Sequence, residues 1–152
     1  RVPRRLKVPF AESVPNNKEA ADLEFALPVE FPLDIAGVVI EELLDGCRNT
    51  HPSEFFAMLS SKSGSAVDEY VVVPLVYQTS NSVGYRTDLL PFDKSVVGTF
   101  HSHPYGFAKP SNADRDSFSR KGQIHIIVSS PFTFETVRAY DRDGKQMEIR
   151  LV

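Results

Sequence analysis

The stretch GTFHSHPYGFAKPSNADRDSF, Gly98 to Phe118, carries two of the chain's four histidines one residue apart, with a serine and an aspartate close behind. KSVVGTFHSH reads as a strand stopped by Pro104, which has no N–H to donate and a fixed φ. Side chains alternate faces along a strand, so His101 and His103 converge on one side. That is the spacing two nitrogen ligands on one metal need. The turn YGFAK gives the chain room to return. PSNADRDSFSRKG reads as a helix, with Ser111 as its N-cap, Asp114 in its first turn and Gly122 as its stop. An aspartate in that first turn can reach back to the histidine face and supply an oxygen ligand.

Two imidazoles, one carboxylate and an open fourth position describe a catalytic zinc, with expected ligand bonds of ~2.0–2.2 Å. The same set could take iron as a facial triad. The single cysteine, Cys47, lies far from the stretch, so a sulfur-rich structural zinc site is excluded. Each piece also has a plainer role. Ser111 would cap the helix in any case, and Asp114 suits the helix dipole. It is the joint spacing H-x-H-P-x6-S-x2-D that singles out the segment.

The elements around it alternate. DLEFALPVEFPL places Leu23, Phe25, Leu27 and Val29 on one face of an edge strand, since Pro28 and Pro32 bar a central one. PLDIAGVVIEELLDGCRNT reads as a helix capped by Asp34, with Ile35, Val38, Val39, Leu43, Leu44 and Cys47 on its apolar stripe. EFFAMLSS, DEYVVVPLVYQT and NSVGYRTDLLP are expected as strands, and IHIIVSSP as a buried one. FETVRAYDRDGKQMEIRLV reads as a hairpin turning at Asp143-Gly144. The order implies an α/β domain, a mixed and largely antiparallel β-sheet flanked by helices. Residues 1–22, with Arg1, Arg4, Arg5 and Lys7 and no sustained period, read as a flexible N-terminal arm ahead of a catalytic domain over 23–152. The arm could add to a sheet edge or cover the active-site groove.

The segment resembles the JAMM motif of the MPN+ zinc metalloproteases, E…H-[ST]-H-P-x6-S-x2-D. His101-Ser102-His103-Pro104 and Ser111-Asn112-Ala113-Asp114 match it without a gap, and the resemblance extends over about residues 33–152. It implies the MPN (cytidine-deaminase-like) fold, with one Zn²⁺ per chain held by His101, His103 and Asp114. The family's upstream glutamate falls on Glu54, in HPSEFFAMLSS. The resemblance implies that Glu54 is the general base and that Ser111 donates to the oxyanion. It implies hydrolysis of peptide or isopeptide bonds after the C-terminal tail of ubiquitin or a ubiquitin-like protein, bound near Tyr77–Tyr85. Larger relatives carry an insertion there, and here the stretch is short. The chain is therefore similar to the compact prokaryotic, archaeal type, related to the proteasome-lid deubiquitinase, and association with a proteasome is an implied partnership. Two alternatives remain: a precursor-processing or sulfur-carrier-related zinc hydrolase, and a non-catalytic MPN scaffold.

Length and composition agree with this. At 152 residues the chain suits one domain with a short appendage, and 41% hydrophobic with 24% charged residues is ordinary for a globular protein. A net charge of −3 offers no broad basic field for nucleic acid. No run approaches a membrane span of roughly 20 apolar residues, and no secretory signal pattern is visible. The expectation is a cytoplasmic protein with neither nucleic acid nor membrane as partner. A lone cysteine cannot form an internal disulfide, and Cys47 reads as a buried helix residue. His125 reads as a satisfied structural histidine and His51 as a turn residue.

Overall fold

A computed structural model describes residues 4–6, 34–78, 83–85 and 95–152. The elements are β1 (Arg4–Leu6), β2 (Asp34–Ile35), α1 (Gly37–Thr50), β3 (Phe56–Ser60), β4 (Ala66–Val67), β5 (Glu69–Val72), β6 (Leu75–Gln78), β7 (Val83–Tyr85), β8 (Val96–His103), α2 (Asn112–Phe118), β9 (Ile124–Ser129), β10 (Val137–Tyr140), β11 (Gln146–Met147) and β12 (Ile149–Leu151). A six-stranded sheet runs β11-β10-β9-β8-β3-β5. Its neighbours are antiparallel except β8 and β9, which are parallel. A parallel pair needs a crossover, and α2 lies in it. Residues 34–35 join a second sheet, β1-β12-β2-β4, and β6 pairs with β7 in a two-stranded ribbon.

The two faces of the large sheet are dressed differently, and this decides where the chemistry sits. On one face Ala57, Phe100, Ile126 and Val128 pack with Val39, Ile40, Leu43, Leu44 and Cys47 of α1. Each of the Val, Leu, Ile and Phe side chains among them, fully removed from water, contributes about 1.5–3 kcal/mol. On the other face Ile127 packs with Phe118 of α2, Ala108 and Tyr140. Register pairs Phe100 with Ile126 and His101 with Ile127. The residues of β8 therefore alternate between core and site: Phe100 and Ser102 face α1, while His101 and His103 face the α2 side. Central β9 is buried on both faces, which is why IHIIV reads as a continuous apolar run.

Several expectations shift. Asp34 is not the cap of α1. The helix starts at Gly37 after Ala36, which makes no side-chain cap bond. Residues 34–35 are instead drawn into β2, where the Asp34 carboxylate accepts from Arg150 Nε and Nη2 at 2.7 and 2.5 Å. The apolar stripe of α1 is rotated accordingly: Val38 is exposed and Ile40 is fully buried. The expected strand over 68–79 is two strands, interrupted at Val73-Pro74, where proline cannot continue a ladder. The C-terminal hairpin closes as β10–β11, with Gly144 at φ +79° in its turn, but Ile149–Leu151 crosses to pair with β1 and β2. Of the N-terminal arm, Arg4–Leu6 pairs antiparallel with β12. The rest of residues 1–33, including the strand expected at Leu23–Val29, lies outside the described residues, as do Thr79–Ser82 of the Tyr77–Tyr85 stretch. Within that stretch Tyr77 pairs with Gly84 and Gln78 with Val83.

Candidate metal centre

Strand β8 ends by presenting His101 and His103 side by side, their Nε2 atoms 3.0 Å apart. The crossover brings Asp114 to the same place: Oδ1 is 3.4 Å from His101 Nε2 and Oδ2 3.4 Å from His103 Nε2. One donor atom from each of the three residues lies within 4.8 Å of the others. A tetrahedral centre with bonds of ~2.0–2.2 Å has donor–donor edges of ~3.3–3.6 Å, and donors gathered within 4.8 Å reach such a triangle by small side-chain movements. The cluster fits one Zn²⁺.

The surroundings aim each donor at the cluster. His103 Nδ1–H donates to the Phe107 carbonyl at 2.9 Å, which turns Nε2 toward Asp114 and His101. Asp114 is locked by a capping box: its Oδ2 accepts from Ser111 N–H at 2.7 Å and its own N–H donates to Ser111 Oγ at 3.1 Å. Burial opposes ionisation of Asp114, but hydrogen bonds from His101 and His103, the charge of His101 and the Ser111 N–H outweigh it. They hold the carboxyl well below the usual carboxylate range. Burial likewise works against a charged His103, yet the Asp114 hydrogen bond, the Phe107 carbonyl and the charges of Asp114 and Glu54 raise its pKa. Ser111 Oγ spends an acceptor site on the cap and keeps its proton to donate.

Glu54 enters from the other neighbour of β8. Phe56 pairs with His101 in the antiparallel β3–β8 register. Glu54 lies two residues before that pair, in the segment that leads into β3. It is half-buried, and its charge acts on His103. All five residues singled out in the sequence thus converge at the end of β8.

The remaining candidates stand apart from the cluster. His125 is fully buried and stacked on Phe118, ring centroids 4.1 Å apart. Its Nε2–H donates to the Gly122 carbonyl at 3.0 Å, and its Nδ1 meets Thr99 Oγ1 at 2.7 Å. Burial pushes it down to about 4, so it is neutral at pH 7. His51 is exposed after α1, its ring centroid 6.1 Å from that of Tyr105. Burial pushes the Cys47 thiol up to about 12, which removes it as a nucleophile.

Two contributions escape the sequence. One is the Phe107 carbonyl, a backbone atom with no side-chain signature. The other is the rim loop itself. It is pinned by that carbonyl and by Tyr140 Oη, which donates to the Ala108 carbonyl at 2.5 Å. Yet it turns the rings of Tyr105 and Phe107 outward, 77% and 81% exposed.

A sheet whose end presents two imidazoles, a capped carboxylate and a nearby glutamate defines a mononuclear zinc centre of hydrolytic type. Residues 37–143 match the family described as prokaryotic homologues of the JAB domain, and the chain belongs to that family, a branch of the JAMM/MPN proteins. A curated relative from Haloferax volcanii, named "Probable metalloprotease", is 32% identical over 124 residues, 76% of each chain. The crystal structure of a Jab1/MPN domain protein from Archaeoglobus fulgidus is 31% identical, with a TM-score of 0.62 over 79% of this chain and 99% of its own. A structure described as a JAMM metalloprotease-like zinc site in the proteasome and signalosome is 30% identical, with the same TM-score, over 79% of this chain and 97% of its own. Among the described residues, no helix is long and apolar enough to cross a membrane.

Proposed function

We propose that this chain is a zinc-dependent isopeptidase or peptidase of the cytoplasm, cleaving bonds that follow the C-terminal tail of ubiquitin or a ubiquitin-like protein. The observation that carries the reading is the His101–His103–Asp114 donor cluster, with the charge of the half-buried Glu54 acting on His103. His101, His103 and Asp114 would hold the metal, and a bound Zn²⁺ would supply Lewis acidity, polarising the scissile carbonyl and lowering the pKa of water toward roughly 7. Glu54 takes the proton of the attacking water and passes it to the leaving amine, as base and then acid. Ser111 Oγ–H donates to the developing oxyanion. Tyr105 and Phe107, rigidly mounted at the rim, suit a polypeptide more than a small metabolite. The β6–β7 ribbon offers strand edges to which an extended tail could add.

The test is cleavage of a linear ubiquitin-like fusion and of its isopeptide-linked counterpart, with zinc measured by elemental analysis. Wild type should cleave with about one zinc per chain. Glu54→Gln should keep the zinc and lose the cleavage, and chelation should remove both. Zinc without cleavage of either substrate would refute the substrate class. A preference for a sulfur-carrier fusion would favour the precursor-processing alternative.

A further inference from the structure

Ser102 lies between the two histidines but belongs to the opposite face. It is fully buried. Its backbone N–H donates to the Phe55 carbonyl at 2.9 Å, one half of the bond pair that an antiparallel ladder exchanges there. The other half is missing. Phe55 N–H does not close on the Ser102 carbonyl but on Ser102 Oγ, at 2.8 Å. The hydroxyl is inserted at the end of the β3–β8 ladder, and β3 begins one residue later, at Phe56. The hydroxyl lies on the α1 side of the sheet, where Cys47 is also fully buried. Ser102 therefore ties the strand that carries both histidines to the segment that carries the glutamate, through its N–H and its Oγ.

We infer that Ser102 is a positioning residue: its Oγ sets the angle at which the chain leaves β3 and so aims the Glu54 carboxylate at the metal cluster. This rests on the role proposed for Glu54. The chemistry is geometric. Glu54 is one peptide removed from the Phe55 N–H, so a change in that bond moves the carboxylate directly. The ligands His101 and His103 have further supports that do not pass through Ser102 Oγ, β9 pairing and the Phe107 carbonyl. Losing the hydroxyl would leave the Phe55 N–H buried and unpaired, and the segment would relax to find a new acceptor.

The experiment compares Ser102→Ala, Ser102→Thr and wild type as zinc-loaded protein. Three results are expected. In Ser102→Ala, zinc stays near one per chain, KM changes less than threefold and kcat falls 10- to 100-fold, while Ser102→Thr restores kcat to within about threefold. In a Glu54→Gln background, Ser102→Ala lowers the residual rate no further. Independently of turnover, the change that zinc produces in the Glu54 carboxyl ¹³C resonance is at least halved in Ser102→Ala, and the Phe55 amide exchanges at least tenfold faster. Three outcomes overturn the inference: kcat within threefold of wild type in Ser102→Ala, a loss of rate that merely tracks lost zinc, or an unchanged Glu54 resonance. If wild type cleaves no substrate offered, the proposed function fails, and the resonance and exchange measurements still decide the role of Ser102.

Discussion

The buried histidine beneath the site makes the fold acid-sensitive by an amount that can be worked out. His125 titrates near 6.5 when unfolded and is pushed down to about 4 in the folded chain, chiefly by burial. Its folded-state pKa is lowered, so between these values the unfolded chain binds more protons and stability rises with pH. The contribution is complete above about pH 6.5 and is lost as pH falls toward 4. Integrating the linkage relation for one such group gives a loss of about 2 kcal/mol between pH 7.5 and pH 5.0. The perturbation is His125→Gln, which cannot charge yet can meet Thr99 and Gly122 with its amide. The assay is urea unfolding of metal-free protein at both pH values, wild type against variant, so that titration of His101 and His103 cancels in the difference. Wild type should lose about 2 kcal/mol more than the variant, a relative midpoint shift of roughly 1 M urea. Identical pH dependence in the two proteins would refute the reasoning. It would mean that the pocket of Thr99, Gly122 and Phe118 admits the charged ring.

Other perturbations probe the site and its support. Ser111→Ala should lower kcat by about 10²–10³-fold, as loss of an oxyanion donor does, and should cost about 1 kcal/mol of stability through the lost cap. Steady-state kinetics and thermal melts separate the two effects. Gly98→Ala would set a Cβ on the Ile124 carbonyl, where β8 and β9 run side by side. The strands would have to part, and a melt should show Tm reduced by near 10 °C, or no soluble protein. Replacing Tyr105 and Phe107 together by serine should raise KM for a protein substrate more than it lowers kcat, measured on the same fusion, because on the proposed reading the exposed rings would meet substrate and not the reacting atoms.

How much of this was legible in one dimension depended on whether an interaction is local. The i, i+2 histidines and the Ser111–Asp114 capping box are local, set by strand alternation and by the first turn of a helix. They stand as the spacing implies. Glu54 was legible only through the JAMM resemblance. A glutamate ahead of an apolar strand carries no signal until β3 pairs with β8, and that pairing spans some forty-five residues of chain. The errors have the same origin. Asp34 looks like a helix cap because its neighbours are helical, but the paired strands β12 and β4 compete for its backbone and win. Val38 fits an apolar period, yet which side of α1 faces inward is settled by the sheet it packs on.

Residue types and short spacings therefore determined the donor set of this protein, the Ser111 cap of α2 and the strand–crossover–strand unit that carries them, because these follow from bonds between near neighbours. Only the tertiary structure decided that the charge of Glu54 acts on His103, that the Phe107 carbonyl orients His103 and that Ser102 ends a ladder. Those depend on register between strands distant in the chain, and register is fixed by the burial of whole faces, which no single stretch of sequence contains.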